Sequence, residues 1–435
     1  MYLYVFFMKE DSYQTNPSQK KTGKITNFLI HAVGSYGDIL PLIAIGRELQ
    51  ARGLSVHFFV DPYFIKHAQN AGLASTPVTN GLWEEILKSQ NTYHPTKIHD
   101  LLADCLAVYV ESALQAMKPH IDNPQTTVTV GNSYSGRLLR DLHGCPTVSV
   151  YYAPYSIRSS IRPPRYLSRA IKLPAAANKM FFWLMDVFFI DRVYGRPLNA
   201  LRKRLGLKPV KRICNKWMYS ADVQLGLFPT WFAQTQPDWP PHFQKTGFPL
   251  FDSGDGILPE NVKTFLDSGE KPIAFTAGSF NTSSDDFFDV SIKACRKIGK
   301  RAMLISPSQE NISQSLPAGI AHFSYVPFGA LMPHLAAFVH HGGIGSLAQT
   351  MAAGIPQLIR PMFGDQFDSA QRITELGIAR EVLPKDYTPD NVAKALTELV
   401  DNPVYKQNAL RYAALLEKEN GISNACDAIL KEFEA

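Results

Sequence analysis

Two doubly wound α/β domains are the fold predicted for this 435-residue chain. Three features carry that expectation. Short apolar runs recur, each leading through a glycine turn into a segment of helical spacing. The same strand–turn–helix order appears in both halves, after residues 25–30 and again after residues 272–276. A chain of this length is too long for one apolar core, so it divides.

In the first half, residues 25–30 predict a strand that leads into Gly34-Ser35-Tyr36-Gly37-Asp38. A helix is expected from about Pro41 through Arg52, with Leu42, Ile45, Gly46 and Leu49 on one face. Proline suits the first turn of a helix, and Gly53 suits its end. Residues 56–60 form the next strand and complete a βαβ unit with parallel strands. Further strands are expected at 127–130 and 147–150. The first domain is therefore read as 25–245. Residues 1–24 are read as a disordered extension, because the apolar start lacks a basic flank and a cleavage site.

Glycine and proline crowd the stretch from Gly247 to Pro259, so 246–270 is read as a linker. The second domain, 271–435, opens with a strand at 272–276 and the turn Gly278-Ser279. A helix at 286–297, a strand at 301–305 and a buried strand at 335–339 follow. A closing helical region is expected from about Pro403.

Composition excludes several classes. The five cysteines are scattered, with no C-x-x-C pair, which argues against a disulfide framework or zinc site and suits a reducing cytoplasm. No apolar run is long enough to span a bilayer. Net charge is +6, yet residues 155–216 hold fifteen Lys/Arg against Asp186 and Asp191. A basic segment within an acidic remainder is a local surface feature, not a nucleic-acid binder's signature. Arg158, Arg162, Arg165 and Arg169 precede the aromatic run through Phe181, Phe182, Trp183, Phe188 and Phe189. Such a segment fits the wall of an apolar acceptor pocket, weak peripheral contact with anionic membrane, or a helix completing the core.

The most informative stretch is His340-His341-Gly342-Gly343-Ile344-Gly345-Ser346. It stands between a strand and a helix with Leu347, Met351 and Ala352 at helical spacing. Glycines there let a ligand approach the backbone, and free N–H groups at a helix start attract an anion. His341 and Ser346 add side-chain donors, so the turn suits a diphosphate. Adjacent histidines point apart on a strand, and no carboxylate sits at ligand spacing, so no metal is expected. Gln349 lies one turn further on, within reach of a ribose. Asp365-Gln366 follows the next strand and suits sugar hydroxyls.

The run from Tyr325-Val326-Pro327 to Gln366 resembles the nucleotide-sugar signature of family 1 (UGT-type) glycosyltransferases, most closely its bacterial rhamnosyl- and sterol-type members. The resemblance covers most of 25–425, with only this signature specific. It implies the GT-B architecture, two Rossmann-like domains facing across a cleft. It implies inverting transfer of a hexose from a UDP- or dTDP-sugar to a hydroxyl of an apolar acceptor, with no cofactor. It assigns Ser279, His341, Gly343, Gly345 and Ser346 to the diphosphate. Tyr325, Val326 and Gln349 are assigned to the nucleoside, and Asp365 and Gln366 to the sugar. Asp38 becomes the general base, with His31 as an alternative; a helix-capping role for Asp38 is the plainer reading. A GT-B epimerase and a non-catalytic binding subunit are the competing functions.

Overall fold

The computed structural model describes residues 25–79, 108–165, 173–240, 242–251, 256–278, 286–307, 312 and 315–433. Residues 1–24, Ser279 and Arg169 lie outside them. Strand β1 (Asn27–His31) shows why the sheets form: Phe28, Leu29 and Ile30 are wholly buried, as a central parallel strand requires. β2 (Ser55–Val60), β3 (Ala74–Pro77), β4 (Thr127–Gly131), β5 (Thr147–Tyr151), β6 (Val223–Gly226) and β7 (Phe243–Lys245) join it in the order β3-β2-β1-β4-β5-β6-β7. The second sheet contains β8 (Ile273–Phe275), β9 (Ala302–Ile305), β10 (Ile320–Phe323), β11 (Ala337–His340), β12 (Gln357–Ile359) and β13 (Ala379–Glu381). Its order is β10-β9-β8-β11-β12-β13. Neighbouring strands pair parallel in both sheets. Strand order reverses between β1 and β4, and again between β8 and β11. In such sheets these are the points where a crevice opens beyond the strand ends.

The helices that position the site are α1 (Tyr36–Ala51), α2 (Tyr134–His143), α3 (Ala175–Met185), α4 (Ile344–Ala352), α5 (Gln366–Glu375), α6 (Pro403–Leu416) and α7 (Gly421–Phe433). α1 starts one turn earlier than Pro41. The Asp38 carboxylate reaches back to the Ser35 N–H at 2.8 Å and nucleates that turn. Pro41 therefore lies inside the helix, where it removes one backbone bond to Gly37. The segment read as a linker contains a short helix, Glu260–Asp267, whose Val262 enters the second domain's core.

Each sheet has an apolar core on both faces. A further cluster belongs to both domains: Phe228, Trp239 and Phe248 pack with Leu347, Met351, Ile373 and Tyr412. The closing helix α7 crosses back to the first domain. Its Cys426, Ile429 and Phe433 bury against the cluster that holds Ile45 and Leu49. Arg52 of the loop after α1 bonds Asp427 at 2.5 Å and Ser423 at 2.8 Å. The crossing is tight at Gly421, where a Cβ would collide with the Phe248 carbonyl. Gly421→Val should therefore destabilise the chain by about 1–3 kcal/mol, the usual loss on overpacking. A urea titration checks this; an unchanged midpoint would mean that α7 is not clamped there.

Candidate active site

The first switch point presents Asp38. β1 ends at His31, Gly34 takes φ +129, and Asp38 becomes the third residue of α1. A Cβ at Gly34 would lie 2.6 Å from the Asp38 carboxyl carbon, so glycine gives this carboxylate its room. Asp38 is partly buried, accepting bonds from the Ser35 N–H at 2.8 Å and the Ser35 hydroxyl at 3.0 Å. Burial pushes its pKa up to about 6, against the lowering effect of those bonds. Capping and an accessible titrating carboxylate thus meet in one side chain.

His31 is placed differently. It is 1% exposed, its ring stacks on Tyr109, and Nδ1 lies 2.6 Å from Ser135 Oγ and 2.7 Å from Ser133 Oγ. Nε2 is buried without a partner and burial lowers its pKa to about 3, so the ring is neutral. His31 lines a small internal cavity with Ser133 and Thr147.

The second switch point presents His341. Its ring lies between two glycines: a Cβ at Gly278 would be 2.5 Å from Nδ1, and one at Gly343 would be 2.5 Å from Nε2. Nδ1 is buried with no partner, and burial lowers the pKa to about 4. His340 turns away into the sheet. Its Nδ1 accepts from the Gly342 N–H at 3.1 Å, which leaves Nε2 to donate to Gln357 Oε1 at 2.9 Å. Gly343 caps α4, and Gly345 and Ser346 lie in its partly exposed first turn. One turn on, the Gln349 Oε1 is buried and unpartnered. Tyr325 is 62% exposed rather than core, while the adjacent Val326 is buried. Ser279, next to Gly278, falls outside the described residues.

The two crevices meet. A Cβ on Gly345 would lie 3.9 Å from Gly37 Cα, so the N-terminal turns of α1 and α4 face each other. Tyr36 of the first domain feels Tyr325 of the second. Asp365, at the N-cap of α5, is raised to about pH 7, by burial first and then by the charge of Asp38. Gln366 is buried, and its Oε1 accepts from Met362 N at 2.8 Å, which shapes the loop that carries Asp365. Among the described residues no cluster of three or more His, Cys, Asp or Glu could hold a metal ion.

Two tyrosines of the cleft escaped the sequence reading. Tyr152 has a buried, unpartnered hydroxyl and feels the charge of Asp38. Tyr155 is raised to about 12 by burial and by Asp365 and Asp368. Their only signal was position just beyond β5, the carboxyl end of a parallel strand. The arginines offered to lipid go elsewhere: Arg158 pairs with Asp186, Arg162 with Glu375 at 2.6 Å, and Arg165 with Glu381 at 2.8 Å.

A raised carboxyl carries a stability signature. Folded Asp365 keeps its proton to about pH 7, against 3.8 for the free group. Its stabilising contribution is complete below the free value and is lost as pH rises through 7. Asp365→Asn should thus raise the melting temperature at about pH 8 and leave it unchanged near pH 4. Equal shifts at both pH values would count against a buried, repelled carboxylate.

Residues 302–421 match the family model described as erythromycin biosynthesis protein CIII-like, C-terminal domain. A sterol 3-beta-glucosyltransferase of Aspergillus oryzae is 24% identical over 434 residues, covering 92% of this chain but only 30% of its own length. Two solved structures share the fold over nearly their whole length. The glycotransferase of kitacinnamycin gives a TM-score of 0.71 at 20% identity, covering 94% of this chain and 99% of its own. Glycosyltransferase VinC in complex with dTDP gives 0.66 at 19% identity, covering 94% and 100%. With the signature seated at the second switch point of two facing parallel sheets, the chain has the GT-B fold of these glycosyltransferase structures, and its second half resembles the erythromycin biosynthesis protein CIII-like C-terminal domain.

Proposed function

We propose that the chain is an inverting glycosyltransferase that moves a hexose from a UDP- or dTDP-sugar to a hydroxyl of an apolar acceptor. The observation that carries it is the meeting of the α1 and α4 N-termini, with Asp38 and Asp365 within electrostatic reach of each other. The α4 terminus and the unpartnered His341 Nδ1 suit the diphosphate. Tyr325 offers an aromatic face to a pyrimidine, Val326 its backbone, and the unpartnered Gln349 Oε1 an acceptor for a ribose hydroxyl. Asp365 orients the sugar, with Gln366 holding its loop. A bound dTDP in VinC and the sterol named for the Aspergillus oryzae relative support this donor and acceptor class. The four described cysteines are free thiols, in keeping with a cytoplasmic reaction.

In the step itself, the acceptor oxygen attacks the anomeric carbon opposite the diphosphate. The bond from that carbon to the diphosphate breaks, and the nucleoside diphosphate leaves as an anion toward the α4 terminus. The acceptor proton passes to Asp38. His31, buried against two serines, is assigned a structural role instead.

Asp38→Asn keeps an acceptor for the Ser35 N–H but cannot take a proton. Transfer should fall by ~10²–10⁴-fold while donor binding holds. In the unmodified protein the rate should rise with pH through a limb near 6. A fully active Asn variant, or an inactive His31→Ala protein of unchanged stability, would move the base elsewhere.

His341→Ala should weaken donor binding by about 1.5–3 kcal/mol, the worth of a hydrogen bond to a charged group. Calorimetry with UDP and dTDP should give the same affinity with and without EDTA. Binding that collapses in EDTA and returns with magnesium would place the phosphates on a metal.

A further inference from the structure

The helix α3 is oriented against its own hydrophobicity. Asn178, Phe182 and Asp186 recur every fourth residue and form its inner stripe. Asn178 Nδ2 donates to the Ser160 carbonyl at 2.9 Å and to the Leu173 carbonyl at 3.1 Å. Asp186 is wholly buried and pairs with Arg158, whose guanidinium lies 5.4 Å from the Phe182 ring. Two of the three inward residues are therefore polar. Outside, Met180 and Phe188 are 61% and 64% exposed, and Phe181, Trp183, Leu184 and Val187 are exposed with them. A five-residue π-helical turn, Asp186–Ile190, keeps Asp186 inward while Val187 and Phe188 stay out.

Such an apolar face needs a partner, and the surrounding charge says which. Lys179, Arg192 and Arg196 are exposed and carry no carboxylate partner among the described residues. The only acids between residues 155 and 216 are turned inward. Asp186 is held by Arg158, and Asp191 accepts from the Arg212 N–H at 2.7 Å and the Ile213 N–H at 3.2 Å. Face-to-face pairing of two copies would set like charges against each other. An aromatic face with a tryptophan, flanked by Lys179, Arg192 and Arg196 in a segment whose two acids are both engaged, suits an anionic bilayer surface. The rings enter the headgroup boundary, and the lysine and arginine stems reach the lipid phosphates.

We propose that the outward face of Leu173, Met180, Phe181, Trp183, Leu184, Val187 and Phe188 is a peripheral docking surface for anionic membrane. The Arg158–Asp186 pair holds it outward. Docking does not depend on the transfer reaction. Tyr155, at the start of the same basic segment, feels the charge of Asp365, so a docked chain would hold its cleft toward lipid-dissolved acceptors.

The test is sedimentation of the full chain with vesicles of phosphatidylcholine alone or mixed with phosphatidylglycerol, without donor or acceptor. Binding is expected only to the anionic vesicles, falling as salt rises. The triple variant Phe181→Ser, Trp183→Ser, Phe188→Ser should keep its melting temperature and bind about tenfold less or weaker. Lys179→Glu with Arg192→Glu should lose about fivefold per cation, and mainly at low salt. The same vesicles should shift Trp183 emission to the blue, a change missing from Trp183→Phe. Failure to bind anionic vesicles at low salt overturns the proposal. So does equal binding by the triple variant, or a dimer in sedimentation velocity that the triple variant abolishes.

Discussion

The close approach of two helix N-termini is the constraint on which the rest of the site depends. The first turns of α1 and α4 meet at Gly37 and Gly345, with nothing larger than glycine at the contact. Both turns bring unsatisfied N–H groups and the positive ends of helix dipoles, which repel each other unless negative charge lies between. Asp38 and Asp365 bring carboxyl groups to that cleft; burial raises both, to about 6 and about 7, and the charge of Asp38 raises Asp365 further. Two such helix termini favour an anion between them, and Asp38, pushed up to about 6, titrates close to neutral pH.

Holding two such termini together needs an interface of unusual firmness. It comes from the apolar cluster shared by the domains, from α7 lying across α1, and from charges that cross between domains. Arg165 donates its backbone N–H to Asp368 at 3.1 Å and its guanidinium to Glu381 at 2.8 Å. Arg372 fixes the other side of Asp368 at 2.6 Å. Asp368 lies on α5, the helix capped by Asp365. The basic segment therefore has two roles: its early arginines tie the domains, and the helix after them faces outward. His341 fits the same logic: boxed by glycines, its ring has a pKa lowered to about 4 by burial and adds no buried charge at neutral pH.

Local pattern determined a great deal by itself. Residues 28–30 and 335–339 are apolar without alternation, and only a strand buried on both faces tolerates that. Gly34, Gly278, Gly342 and Gly343 marked the strand-to-helix turns, and the order of those turns marked two doubly wound sheets. The candidate residues Asp38 and His341 were legible because a carboxylate or imidazole just after such a turn lies at the mouth of a crevice.

Tertiary structure decided what depends on partners distant in the chain. His31 is held by Ser133 and Ser135, over a hundred positions away, as the separations of 102 and 104 record. Tyr152 and Tyr155 entered the cleft only when β5 took its place in the sheet. On α3, hydrophobicity alone would have turned Asn178 and Asp186 to solvent; pairing of the buried Asp186 with Arg158 reversed the choice. The closing helix α7 has an ordinary amphipathic sequence, and only packing shows that its apolar face covers the first domain. Sequence encodes periodicity and turn chemistry over a few residues. Which face is buried, and which charge is paired, follows from contacts that exist only after the chain has folded.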